Sequence, residues 1–211
     1  MMDTLTFEND AGKVFRMTDY GLLLKYFDAP EPAPKTYIES IEGADGDLDL
    51  TEWAGVIRYE NRPVTFGIRD MNDTWWREFA AFANGKNLKI THSDDPEHYY
   101  YGRCTVKHQT RKRVTDVEVQ ASCNPYRLQH RETVVTVDVT NSATVTLEAL
   151  ARPVTPRITV DAEINIEYDG TGITLLPGTH TVYDLLLTTT PKTVAIRGTG
   201  RITFAWRDGV M

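Results

Sequence analysis

The 211-residue sequence predicts a mainly β protein: an N-terminal β-sandwich or sheet with one covering α-helix, followed by a small jelly-roll-like β-sandwich. Apolar and polar residues alternate over most of the chain, as they do in half-buried strands. A single segment has the helical period. Thr rises to 17 of 85 residues from position 127 onward, against 11 of 126 before it, and turn signals then recur at the spacing of a sandwich.

In the first half, strict alternation predicts most of the strands. The segments 54–60 and 64–69 alternate in this way and read as a hairpin joined at Asn61-Arg62-Pro63. Further strands are predicted at 86–91, 99–107 and 114–122.

The helix is predicted from Thr74 to Asn84. Within it Trp76, Phe79, Ala80 and Ala83 fall at i, i+3, i+4 and i+7, which places them on one face. The sequence predicts Asp73 as the N-cap, and Gly85 follows as a stop signal. One apolar face of about three turns predicts a helix that covers a sheet.

The second half predicts strands alone. Alternation runs over 134–139 and 143–149, and Asp169-Gly170 is a strong two-residue hairpin turn. Strands are also expected at 181–187 and 192–197, followed by a break at Gly198-Thr199-Gly200 and a last strand at 201–207. The predicted domains are 1–128 and 129–211.

The charge is acidic and unevenly distributed. The net charge of −7 argues against general nucleic-acid binding, which needs a basic surface. Residues 1–126 hold 15 Lys and Arg against 21 Asp and Glu, a net charge of −6. Acidic residues concentrate near 45–52 and basic residues near 107–113. These two stretches are either two solvated surfaces or complementary patches that meet between subunits. The candidate interface residues are Asp45, Asp47, Asp49, Glu52, Lys107, Arg111, Lys112 and Arg113.

The two cysteines predict free, buried thiols. If Lys107 faces Val114 in a hairpin, Cys104 lies opposite Val117 and not opposite Cys123. The sequence predicts no membrane span and no cleaved leader, because the first residues lack a basic start and an apolar core.

Motifs that carry chemistry are missing from the sequence. There is no nucleophile elbow, zinc-protease motif, phosphate loop or dinucleotide fingerprint. The polar segment from His92 to His98 has groups that bind cations, but its loop character explains them more simply. The segment that starts at Asp45 fails as a calcium loop, since Leu50 and Val56 stand where Gly and Glu are needed. We therefore expect no enzyme, no cofactor and no metal.

Four segments in order resemble the distal tail protein family of long, flexible-tailed (siphovirus-type) bacteriophages. They are Ile41 to Thr51, the helix from Trp75 to Asn84, Asp94 to Arg103, and Cys123-Asn124-Pro125-Tyr126; a Thr-rich sandwich and a terminal Gly200 to Gly209 follow. The resemblance spans the chain. Glu42 stands where the family often has Pro.

The resemblance implies a structural virion protein at the distal end of the tail, assembled in the bacterial host cytoplasm. Six copies would form a hexameric ring that joins the tail tube protein to the tail tip or baseplate hub protein and leaves a central channel for DNA. The N-terminal domain would build the ring, and a galectin-like C-terminal domain would project outward. The tape-measure protein and a receptor-binding protein are further expected partners. An acidic channel wall would keep the genome from adhering.

The alternative is a carbohydrate-binding β-sandwich module for host attachment. Trp53, Tyr183 and Trp206 are aromatic residues of the kind on which sugar rings stack. Alternation in the last strand places Trp206 in the core, so exposure of Trp53 or Tyr183 on a concave face would favour this alternative.

Overall fold

A computed structural model describes residues 3–53, 55–111 and 114–211. The chain divides into two compact units, Met1–Arg127 together with Met211, and Leu128–Val210. The predicted boundary after residue 128 lies one residue from this division. Strands dominate both units, and one α-helix occurs in the described part of the chain, which confirms the mainly β fold class. Of the described helices, none is long and apolar enough to cross a membrane.

The first unit has a main antiparallel sheet with a helix on one face, and a separate two-stranded ribbon. Its strands are β1 (Leu5–Asn9), β2 (Val14–Arg16), β3 (Leu23–Asp28), β4 (Ile38–Ser40), β5 (Asp47–Asp49), β6 (Arg62–Met71), β7 (Asn87–His92), β8 (His98–Arg111) and β9 (Val114–Cys123). The helix is α1 (Asp73–Ala83), and a short 3-10 turn spans Met17–Tyr20. The order across the main sheet is β2-β1-β7-β8-β9-β6-β3, whereas β4 and β5 pair only with each other among the described strands.

Aromatic side chains fill the space between this sheet and α1. Phe7 of β1 packs against Phe66 of β6 and Phe79 of α1, with ring centroids 5.4 and 5.3 Å apart. Phe15 and Phe82 complete the cluster and are buried. The predicted covering role of the helix is therefore confirmed.

The helix begins at Asp73, one residue earlier than predicted. The N-cap is Asn72, whose side-chain oxygen accepts hydrogen bonds from the backbone N–H groups of Thr74 and Trp75 at 3.1 and 2.9 Å. The prediction that Asp73 caps the helix is wrong, because Asp73 is already helical. Asn and Asp are equally good caps, so composition could not choose between neighbours.

The predicted hairpin of 54–60 with 64–69 is also wrong. Residues 64–69 belong to β6, but β6 pairs with β3 on one side and β9 on the other. In the described part of 54–60, only Tyr59 takes part in a β-bridge, to Pro34. Both edges of β6 are occupied, so the alternating segment 54–60 has no place in the sheet.

The two cysteines are free and buried, as predicted. The predicted register between β8 and β9 is wrong. Arg111 faces Val114 across the hairpin, so Lys107 faces Glu118 and Cys104 faces Ala121. The chain turns about four residues later than predicted because β8 extends to Arg111.

The second unit consists of strands. They are β10 (Arg127–Gln129), β11 (Thr133–Leu147), β12 (Arg157–Val160), β13 (Ile164–Tyr168), β14 (Thr171–Leu175), β15 (Gly178–Thr181), β16 (Lys192–Trp206) and β17 (Gly209–Val210). β11 pairs with β16 over the full length of both. On its other side, β16 pairs first with β13 and then with β12. Apolar residues from both halves of β16 belong to one core, so the long ribbon folds over on itself.

The fold of this ribbon corrects three sequence predictions. Segments 134–139 and 143–149 are one strand, and so are 192–197 and 201–207; the expected break at 198–200 is a bend within β16. The predicted strand 181–187 is wrong beyond Thr181, where β15 ends. The hairpin turn at Asp169-Gly170 is confirmed, with φ of 48° and 77°.

Candidate subunit interface

The acidic residues lie on an excursion of the chain between two neighbouring strands. Residues 29–61, which we call the arm, leave the sheet after β3 and return at β6, although β3 and β6 pair directly. Residues 36–57 of the arm contain six Asp and Glu and no Lys or Arg, a net charge of −6. The whole chain has a net charge of −7, so almost all of it lies here.

The end of the arm is a two-stranded ribbon, β4 with β5, that has two chemically different faces. Glu39 lies opposite Leu48, and Ser40 opposite Asp47. Opposed residues share a face and neighbours alternate, so Asp47 and Asp49 share one face with Ile38 and Ser40. The other face is mostly apolar: it carries Leu48 opposite Glu39 and continues beyond the strands, where the Leu50 N–H donates to the Tyr37 carbonyl at 2.7 Å.

Large apolar side chains of the arm are exposed. Tyr37 is 55% exposed, Ile38 58% and Trp53 78%. Together with Thr36, Glu39 and Leu50 they line an open hollow of about 610 Å³. Neighbouring exposed apolar groups are typical of surfaces that bind a partner.

The four predicted acidic residues all lie in this region and are exposed. Asp47 and Asp49 are on β5, Asp45 is in the turn before it and Glu52 in the turn after it. The Thr51 side chain and N–H hydrogen-bond the carboxylate of Asp49, which holds the pKa of Asp49 below its usual range. Asp49 therefore stays ionised at neutral pH.

The base of the arm is fixed to the sheet by side chains. The base of the arm consists of two segments, residues 31–35 and 58–61. They are joined by backbone hydrogen bonds from Lys35 to the Arg58 carbonyl at 2.7 Å and from Glu60 to the Ala33 carbonyl at 2.8 Å. Arg62, at the start of β6, is 1% exposed and donates from Nη2 to Glu31 Oε2 at 2.8 Å.

Of the predicted basic residues, Lys107 and Arg111 lie on the last part of β8. Lys107 is exposed, and its Nζ lies 3.4 Å from Gln120 Oε1. Arg111 ends β8, but its side chain lies outside the described part of the chain, as do Lys112 and Arg113 altogether. Among the described ion pairs, none joins these basic residues to the arm. In the part of the subunit that the structure describes, Lys107 is therefore not paired with the predicted acidic groups.

Sequence reasoning missed the apolar face of the ribbon and the buried Arg62. Only Leu48-Asp49-Leu50 alternates, whereas residues 37–41 read Tyr-Ile-Glu-Ser-Ile, so the sequence carries little signal for the ribbon. Nothing local distinguishes Arg62 from an exposed arginine, because its partner Glu31 is 31 positions away.

The polar segment 92–98 divides into two groups. Asp3, His92 and Asp94 have side-chain ligand atoms within 4.8 Å of one another, but Asp3 and Asp94 are exposed and His92 Nδ1 already accepts from the Asp94 N–H at 3.1 Å. Asp95 lies between His98 and Arg127, at 2.7 and 2.8 Å. This second group joins side chains within the first unit through the Asp95–Arg127 ion pair and the Asp95–His98 hydrogen bond.

The aromatic residues considered for sugar binding differ in exposure. Trp206 is buried in the core of the second unit, as predicted. Tyr183 is 82% exposed and lies beyond β15. Trp53 borders the hollow on the arm, so it meets the condition of exposure on a concave surface.

The fold, a helix-covered antiparallel sheet followed by a folded all-β ribbon, matches that of a solved phage tail protein, which confirms the predicted resemblance at the level of the fold. The structure matches SPP1 Dit (gp 19.1), described as a paradigm of the hub adsorption apparatus in phages that infect Gram-positive bacteria. The TM-score is 0.63 at 19% identity, over 96% of this chain and 98% of that one.

Two structures of the phage p2 baseplate in its activated conformation match more weakly. The one with Sr has a TM-score of 0.47 at 6% identity, over 98% of each chain. The one with Ca has 0.43 at 5% identity, over 97% of this chain and 98% of that one. No family model and no curated protein sequence matches the chain.

Proposed function

We propose that the chain is a structural subunit of a phage tail hub, located at the distal end of the tail. The observation that carries this is the match in fold to SPP1 Dit over nearly the whole of both chains. The role is structural and not catalytic. The subunit joins the tail tube to the tail tip or baseplate, is assembled in the host cytoplasm, and meets the tape-measure and receptor-binding proteins there.

Six copies form the ring through a head-to-tail contact, in which two different surfaces of the same protein meet. The arm supplies an acidic surface with a net charge of −6 between residues 36 and 57. The β8–β9 hairpin supplies Lys107, Arg111, Lys112 and Arg113. Opposite charges attract across such a contact and also disfavour wrong pairings.

The position of the arm decides the charge of the channel for DNA. Outside the arm, the net charge of one copy is −1, the difference between −7 for the chain and −6 for residues 29–61. A channel wall is strongly acidic where arms line it, and there it repels a passing genome.

Charge exchange between the two surfaces tests the ring. Native mass spectrometry and negative-stain images of the wild type are expected to give six-fold rings. Reversal to Glu at Arg111, Lys112 and Arg113 is expected to abolish them, as is reversal to Lys at Asp45, Asp47 and Asp49. Combining both sets should restore assembly, since the attraction returns with opposite sign.

Two outcomes would argue against this assignment. If rings form unchanged in either set of reversals, the proposed contact between arm and hairpin is wrong. If the wild-type chain stays monomeric at high concentration, and also with tail tube protein, the proposed ring is wrong.

A sugar-binding role is the second candidate, and the exposure of Trp53 beside the hollow favours it. Sugar faces stack on exposed aromatic rings, and Tyr37 borders the same hollow. A glycan array is expected to give a signal that Trp53→Ala abolishes and Tyr183→Ala leaves unchanged. Absence of any glycan signal from assembled protein would dismiss this candidate.

A further inference from the structure

A buried positive charge lies where the arm joins the sheet. Arg62 is 1% exposed, its guanidinium carbon lies 5.7 Å from the centre of the Tyr100 ring, and Nε has no hydrogen-bond partner within the described residues. A charge in such a place is tolerated only with a countercharge at good geometry. The countercharge is Glu31, at 2.8 Å.

Glu31 belongs to the segment that leaves the sheet, whereas Arg62 belongs to the strand to which the arm returns. The Glu31 side chain is 74% exposed, so its carboxylate reaches from the surface to a buried partner. On the returning side, Asn61 donates to Ser122 Oγ at 3.1 Å. The two base segments are tied to each other by backbone hydrogen bonds, so fixing both of them to the sheet fixes the direction of the whole arm.

We propose that the Glu31–Arg62 ion pair is a latch that sets the direction of the arm, with Glu31 as a positioning residue for the subunit contact. This rests on the proposed function, in which the arm is the part that reaches the neighbour. If the outgoing segment swings away, Arg62 loses its countercharge while it remains buried. The free-energy cost of an unpaired buried charge therefore opposes the swing.

The direction of the arm is measured by the distance between two spin labels, one at Asp45→Cys on the arm and one at Thr105→Cys on β8. Both native cysteines are buried, so labelling is confined to the new ones. In dilute, monomeric protein we expect one narrow distance distribution. Glu31→Gln is expected to widen it about twofold or more, because an amide supplies no countercharge.

Glu39→Gln is the matched control, since it removes the same charge from an exposed position of the arm. It should leave the distribution unchanged. If Glu31→Gln unfolds the unit, Glu31→Gln with Arg62→Met removes both charges, which is expected to restore folding but not the narrow distribution.

An unchanged width in either Glu31 variant, or a broad distribution in the wild type, would overturn the latch. Because the measurement uses monomers, it does not depend on ring formation. If the distance distribution is narrow and depends on Glu31 but no rings form, the latch is supported and the ring is contradicted. If rings form but the width does not change in the Glu31 variants, the ring is supported and the latch is contradicted.

Discussion

Two cysteine side chains lie in the core of the first unit, on adjacent strands. Cys104 is on β8 and Cys123 on β9, and neither is accessible to solvent. Burial is the main reason that the pKa of each thiol rises from 9.0 to about 12. At neutral pH both thiols are therefore protonated and poor nucleophiles.

These raised pKa values predict a loss of stability in alkali. Above about pH 9 the unfolded chain releases thiol protons that the folded chain retains until about pH 12. The free energy of unfolding then falls as pH rises, with a slope approaching about 1.4 kcal/mol per pH unit for each thiol. Urea unfolding at pH 8, 9 and 10 measures this slope.

Cys104→Ala is expected to reduce the slope, whatever its effect on stability at pH 8. The buried Tyr100, whose pKa is raised mainly by desolvation, contributes equally to wild type and variant. A variant with the wild-type slope would show that Cys104 ionises alike in both states.

At the scale of elements, the bend in the β11–β16 ribbon brings both halves of the ribbon onto one core in the second unit. Asn141 of β11 has φ of 71°, and it lies opposite Gly198, which has φ of 138°. Gly200 has φ of 152°, and a Cβ there would lie 2.6 Å from Asp161 Oδ1 and 2.8 Å from Ala162 Cβ. The bend therefore needs a residue without a side chain at 200.

Gly200→Ala is expected to destabilise the second unit by about 2 kcal/mol or more, because the backbone is strained and a methyl group has no room. Gly172→Ala on β14 is the matched control, since nothing lies within 4 Å of a Cβ at that position. Thermal unfolding followed by circular dichroism compares the two. Equal melting temperatures would mean that the bend relaxes without cost.

Local signals predicted the elements that depend on neighbouring residues. The turn at Asp169-Gly170 and the helix near 74–84 needed only short-range chemistry, and both are confirmed. The segment 54–60 alternates like a strand, but pairing is decided by distant strands that already occupy β6. Likewise Gly198 and Gly200 predict a break, but β16 continues across both residues because it pairs with β11 there.

The candidate interface was predictable to the same extent. The sequence places the acidic and basic residues and their charge, but it does not show that the ribbon has an apolar face. The Glu31–Arg62 pair depends on a contact between residues far apart in sequence, and no pattern in one sequence predicts it.

At the scale of the molecule, the arm contributes almost nothing to the hydrophobic cores. Of its described residues, only Ala29 at its start packs against a core. Lys35 and Arg58 are joined by a backbone hydrogen bond of 2.7 Å, so a short turn can connect them directly.

Replacing residues 36–57 by a short Gly-Asn turn is expected to leave a folded chain that does not assemble. The melting temperature should change by only a few degrees, as for other changes away from the core. Calorimetry measures stability, and native mass spectrometry measures assembly. Rings from this shortened chain would show that the arm is not the contact.

The acidic residues of the arm also control what happens before assembly. The ribbon of β4 and β5 has free strand edges and an apolar face, which favours aggregation through edge-to-edge pairing. Two such ribbons repel each other, since each carries a net charge of −6 over residues 36–57. The carboxylates thus act as gatekeepers that keep free subunits apart, and protonating them below about pH 4, where carboxyl groups ordinarily titrate, should make free subunits precipitate.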